Sequence, residues 1–426
     1  MLSCQVTTPV SALRHNSSAQ GRLDGDAPSL WGSCPIEFGS GSQAVIHETC
    51  PFSRDKVMRH TLSSAKVFVF YLIVLLFFPL LILLGFACWY GLDVADRYTR
   101  IDVRYVGDND IVVDSELGFR RPRNAITRRI EPGIEYNIYT DNLGARVNRP
   151  GAQTADKVTI LTVGDSFSEG YGFENEQTYT ERLGEMFGLP VANFALGSYS
   201  ALQALISLKK NVSLAPSVII FGMIEDDLRR SIDPCAPNFF PVCLEVPTVG
   251  GIGRDPYIIP PDRAAVSGTQ ISIDLMDEQK AQSWGNRIIL GLRMAFYEFQ
   301  TVKKRWRLGM EPTQQAKAEA GLFVIREMVK IARELKASLI LLYMGRLDGE
   351  DPATESDGWM PLPAAFLSGL PEEVIFVDAT HAVKDFLARN PGPKLTLPKD
   401  DHPNAKAHEL FAEILKQKIT TVRSSK

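Results

Sequence analysis

The pattern of apolar and polar positions changes character along the chain. Residues 1–57 are rich in Ser, Gly and Pro and follow neither a helical nor a strand period, so a disordered N-terminal tail is expected there. Val67 to Tyr90 then runs 24 positions without a charge, enough at 1.5 Å per residue to cross the hydrocarbon of a bilayer. This predicts a transmembrane helix over 67–90, the run being too long for a signal-peptide core. From 91 to 156 short polar and apolar stretches alternate with turn signals such as Asp141-Asn142-Leu143-Gly144, which reads as a linker and small preamble.

At 157 a regular rhythm begins. Apolar runs at 157–163, 190–196 and 217–223 predict strands, with helices between them over 181–187 and 200–210. From about 229 to 310 the rhythm is lost; the stretch is Pro-rich at first and then amphipathic over 285–300, and reads as an insertion over a site. The alternation resumes with a helix at 316–336, strands at 338–344 and 374–380, and a closing helix from Pro403, whose fixed φ suits a first turn. Strands alternating with helices need crossover connections, so 157–420 is expected to form an α/β, doubly wound parallel sheet.

Net charge of -4 and a pI near 6.0 give no electrostatic footprint for nucleic acid. Arg54, Lys56, Arg59 and Lys66 precede the apolar run while Arg97, Arg100 and Arg104 follow it, a slight lean towards a cytoplasmic N-terminus and an extracytoplasmic main domain. Met58 is a second candidate start of translation. Cys235 and Cys243, eight apart in a Pro-rich loop, are equally readable as a small-loop disulfide or two free thiols. Cys4, Cys34, Cys50 and Cys88 suggest no role. No metal-ligand spacing and no phosphate-binding Gly loop occurs, so neither metal nor other cofactor is expected.

The candidate chemistry begins at Gly164-Asp165-Ser166, where an apolar strand ends and a Gly-containing loop follows. Sites in open α/β sheets lie at such carboxyl ends. Asp and Ser are also ordinary helix caps, so context decides. A serine nucleophile needs a base, and of the six histidines only His381, His402 and His408 fall in the folded region. His402, in Lys399-Asp400-Asp401-His402-Pro403-Asn404, stands just before the closing helix, with Asp400 chosen to orient its ring. His408 reads as a surface residue of that helix, and His381 similarly.

Taken together the two sites resemble the SGNH hydrolase superfamily, whose first block is a Gly-Asp-Ser and whose last is an Asp and His followed by Pro-Asn. The resemblance spans about 157–420, and the lead-in over 140–146 is similar to membrane-linked, polysaccharide-associated members. It implies a flavodoxin-like sheet, Ser166 as nucleophile, His402 as base, and an oxyanion hole from the N–H groups of Ser166 and Gly197, with Ser198 next to it as the alternative register. Asp226 stands where the family places an oxyanion-donating Asn. The Asp-x-His spacing from Asp400 is similar to alginate O-acetyltransferase-like proteins. Arg229 and Arg230 follow at the mouth of the site, to favour an anionic substrate, a solvated basic pair being the plainer alternative. The expected function is ester hydrolysis or O-acyl transfer on O-acetyl groups of an envelope or exported polysaccharide. Lipid esters, or a binding role on the same frame, are the alternatives.

Overall fold

The computed structural model describes residues 54–98, 103–232, 243–245, 256–259, 267, 270–271, 273–274, 283–308, 313–348, 361–392, 394–398 and 401–424. Residues 1–53 of the expected tail, Cys235 and Asp400 lie outside the described residues, as does the side chain of Cys243, while 54–57 are already helical.

The chain divides into two units, Met1–Tyr71 and Leu72–Lys426. The described part of the first is helical, the start of α1, Arg54–Tyr98. Within α1, Lys66–Asp96 contains an 18-residue window of mean hydropathy 3.1 that is wholly unburied. A core helix would hide such side chains; Leu75 is 70% exposed. The helix is thus long and apolar enough to span a membrane.

In the second unit five apolar runs become parallel strands: β7, Ile160–Gly164; β8, Val191–Asn193; β9, Val218–Met223; β12, Ser338–Tyr343; and β13, Val374–Asp378. In space they lie β8-β7-β9-β12-β13, the flavodoxin-like order 2-1-3-4-5. Alternate residues feed two cores. Leu161, Val163, Ile219, Phe221, Leu339 and Leu341 pack on one face, Ile160, Val218, Ile220, Ile340 and Leu342 on the other. Burial on both faces explains why these strands read as continuous apolar runs.

Helices cover both faces: α3, Tyr179–Phe187; α4, Ala201–Lys210; α5, Glu225–Ile232; α7, Gln314–Leu335; α9, Ala379–Arg389; and α10, Ala405–Ser424. Between them come the one-turn α2, Ser166–Glu169, the short α8, Ala364–Ser368, and α6, Trp284–Leu308, in the insertion with the hairpin β10, Cys243–Glu245, and β11, Tyr257–Ile259.

Three details differ from expectation. The region from 103 to 147 is more than a linker: β1, Arg104–Gly107, β4, Ile126–Glu131, β5, Ile134–Thr140, and β6, Arg146–Val147, extend the same sheet antiparallel beyond β8. A further pair, β2, Val112–Asp114, and β3, Gly118–Arg120, stands apart. The last strand stops at Asp378, whose carboxylate accepts the N–H of Thr380 and so starts α9, where a strand through 380 was expected. The closing helix starts at Ala405, because Asn404 accepts the N–H groups of Lys406 and Ala407, while Pro403 bridges to Thr396.

Candidate active site

The site forms where the strand order reverses, at the carboxyl ends of β7 and β9, the usual ligand crevice of this topology. Gly164 is required by close approach. A Cβ there would lie 2.3 Å from the Gly222 carbonyl oxygen and 2.7 Å from Ser168 Oγ. Asp165 caps α2 by accepting the Phe167 N–H at 3.0 Å, which makes Ser166 the first helical residue. Its N–H is among those a helix start leaves without an intrahelical partner.

His402 arrives from the opposite end of the sequence. Its carbonyl accepts the Leu397 N–H, and the Asn404 amide donates to the carbonyls of Lys394 and Thr396, so a closed loop holds the ring. His402 Nε2 lies 2.7 Å from Ser166 Oγ. The ring packs on Tyr171 at 4.4 Å and Phe167 at 5.0 Å between centroids. Tyr171 in turn donates to Glu131 at 2.7 Å and lies under the Arg129 guanidinium at 4.6 Å. Asp401 is exposed.

Past β8 the chain keeps pairing with β7, through Phe194 N–H to Thr162 and Leu196 N–H to Gly164. That register brings Gly197 beside the serine; a Cβ on it would lie 3.7 Å from Ser166 Cβ. The Gly197 N–H already donates to Glu169 Oε2 at 2.6 Å, and Glu169 is held by Arg121, itself paired with Asp110. Ser198, the alternative register, sits at φ +68°.

Asp226 accepts from Arg229 at 2.5 Å and Arg230 at 2.7 Å. Burial opposes its ionisation, but Arg230 and Arg229 outweigh burial and hold its carboxyl below the usual range. An ionised carboxylate accepts only, so Asp226 supplies no oxyanion donor.

Arg230 is not at the mouth of the site, as the sequence suggested. It is 5% exposed and lies 3.1 Å from Asp227 and 3.7 Å from Asp165. Burial, and then Asp165, push the Asp227 carboxyl well above its usual range, and burial raises Asp165 despite Arg230 and His402. Arg229 is the more open of the pair.

His408 is a correction. It is fully buried, stacked on Tyr179 and edge-on to Phe173 and Phe411, and its Nδ1 accepts the Tyr179 N–H at 3.1 Å. Burial drives its pKa down to about 3. His381 is exposed on α9.

Sequence reasoning missed Glu169, Arg121, Arg129, Arg146 and Tyr171. Arg146 donates to the carbonyls of Glu169, Gly170 and Phe173, satisfying the C-terminal end of α2 that the one-turn helix leaves open. The signal for Glu169 was its place three residues after the serine; the arginines gave none, since Arg121 and Arg129 each stand beside a second arginine and nothing in the sequence says which of a pair is buried.

No family model matches the sequence, and no curated protein does. Among solved structures the chain is similar to one assigned to the G-D-S-L lipolytic family from Desulfitobacterium hafniense DCB-2, at 12% identity, 62% of this chain, 99% of that chain and a TM-score of 0.32. It is similar to a carbohydrate esterase family 2 enzyme with a carbohydrate-binding domain from Corynascus thermopiles, at 15%, 70%, 73% and 0.31. It is also similar to a catalytic mutant of an acetylxylan esterase from Geobacillus stearothermophilus, at 10%, 62%, 95% and 0.34. The fold assignment rests on the strand order and not on these likenesses.

Proposed function

We propose that the chain is a membrane-anchored serine ester hydrolase or O-acyltransferase of the SGNH type. The observation that carries this is the 2.7 Å approach of His402 Nε2 to Ser166 Oγ at the switch point of the sheet. With the ring proton on Nδ1, Nε2 accepts the serine proton as Oγ attacks an ester carbonyl. His402 then returns that proton to the departing alcohol, leaving an acyl-serine. In the second half His402 deprotonates water, giving the acid, or a sugar hydroxyl, giving a new ester. Asp400, two residues before the histidine, is assigned the role of orienting Nδ1–H.

The oxyanion is received by the N–H of Ser166, and by that of Gly197 once Glu169 yields it. The substrate class we assign is O-acetyl groups of an envelope or exported polysaccharide, with the domain outside the cytoplasm. Two observations favour a second reading, a catalytically weak binding protein on the same frame: Asp226 offers no donor, and the Gly197 N–H is already taken.

Fluorophosphonate labelling of the full-length protein separates the two. Labelling of wild type that is lost in both Ser166→Ala and His402→Ala is expected, and acetylated sugars should then be turned over ahead of lipid esters. A folded wild type that takes no label would favour the binding role.

A further inference from the structure

α6 crosses α1 at the end of the apolar run. The two backbones meet at Gly91 and Gly291, and a Cβ on Gly291 would lie 1.7 Å from the Gly91 carbonyl oxygen. Val94 and Ala95 of α1 pack with Leu290 and Met294 of α6, and Arg287 pairs with Asp96. Gly91 directly follows Trp89 and Tyr90, the aromatic residues that close the uncharged stretch; such residues collect at the membrane–water boundary. The crossing therefore fixes α6 at the height where the bilayer ends.

To either side of this crossing, where Gly91 also meets Leu292 and the Ile288 carbonyl, α6 carries large apolar side chains that are uncovered. Trp284, Ile289, Phe296 and Phe299 are 68%, 57%, 66% and 62% exposed. At about 100° per residue they fall within an arc of about 140°, opposite Leu290 and Met294. Lys303, Lys304, Arg305 and Arg307 follow in the same helix, a charge run that suits phospholipid headgroups.

We infer that α6 lies in the interface of the bilayer that α1 spans, with Trp284, Ile289, Phe296 and Phe299 among the lipids. The occupant of this face is phospholipid, because α6 is fixed against α1 at the end of its uncharged run and exposes large apolar side chains as that run does. Ile271 packs against Val94 and Leu290, while Ile273, two residues on, packs against Leu196 and Tyr199 on either side of Gly197. The helix pair in the interface is thereby joined to the loop that forms one wall of the candidate active site. The inference rests on reading Lys66–Asp96 as a membrane span and is independent of the catalytic reading.

The test is photolabelling of the full-length protein in phosphatidylcholine vesicles containing a phosphatidylcholine with a diazirine near the carbonyl end of one acyl chain. Adducts are expected on the span and on the peptide carrying Trp284 to Phe299. The exposed double variant Phe296→Ser/Phe299→Ser should lose its α6 adducts severalfold and keep those on the span. A labelled span beside an unlabelled α6 peptide would overturn the inference, whether water or a second copy covers the face. Absence of label on both segments would overturn the membrane reading itself, and this inference with it.

Discussion

Arg230 shows how much one side chain carries in the site. It faces Asp165, Asp226 and Asp227 from a buried position, so removing it strands carboxylates away from water. Breaking a buried ion pair from one side costs about 3–5 kcal/mol, and Arg230→Ala is expected to lose about that much in urea denaturation. Arg229→Ala, at a more open position, should lose less than about 1 kcal/mol in the same measurement. The contrast separates two adjacent arginines that look alike in the sequence. Neither identity nor spacing distinguishes them there; the turn of α5 that buries one and exposes the other does.

At the scale of elements, α10 meets the start of α3 through His408. Its folded pKa of about 3 lies below the unfolded value near 6.5, so the unfolded chain takes up a proton that the folded one refuses. This contribution is intact above pH 6.5 and is lost as pH falls towards 3, at about 1.4 kcal/mol per unit, or about 2 kcal/mol by pH 5. His408→Gln keeps an acceptor for the Tyr179 N–H without titrating. Its urea stability should therefore fall less than wild type's between pH 7 and pH 5, by about that difference. The same scale governs the helix crossing: Gly291→Ala must push α6 from α1, and a stability loss of about 1–3 kcal/mol is expected, read as a lowered thermal midpoint of the detergent-solubilised protein.

At the scale of the molecule, the parallel strands were legible because both their faces are buried, leaving uninterrupted apolar runs at 160–164, 218–223 and 338–343. Ser166 and His402 were legible because a strand end and a helix start bracketed them. The antiparallel extension was not. β4 and β5 alternate buried and exposed positions with polar and charged residues among them, β6 is two residues long, and the contribution to the site comes through arginines such as Arg121 and Arg146. α9 was hidden because Asp378 both ends a strand and caps the helix, with no intervening loop to mark the change. His408 could have been placed, since Phe411 and Leu415 follow it at helical spacing and are equally buried. A chain starting at Lys157 would lack Arg121, Arg129 and Arg146 and leave β8 as a bare edge. It is expected to be poorly soluble and to take no fluorophosphonate label where the full-length protein does.

The Gly91–Gly291 crossing bears on how the protein meets anything it acts on. With backbone set against backbone, α6 cannot roll or slide on this end of α1 without driving peptide groups into one another. Under the membrane reading proposed above, encounter becomes a search in two dimensions, the molecule drifting in the sheet of lipid and meeting its targets within one thin layer.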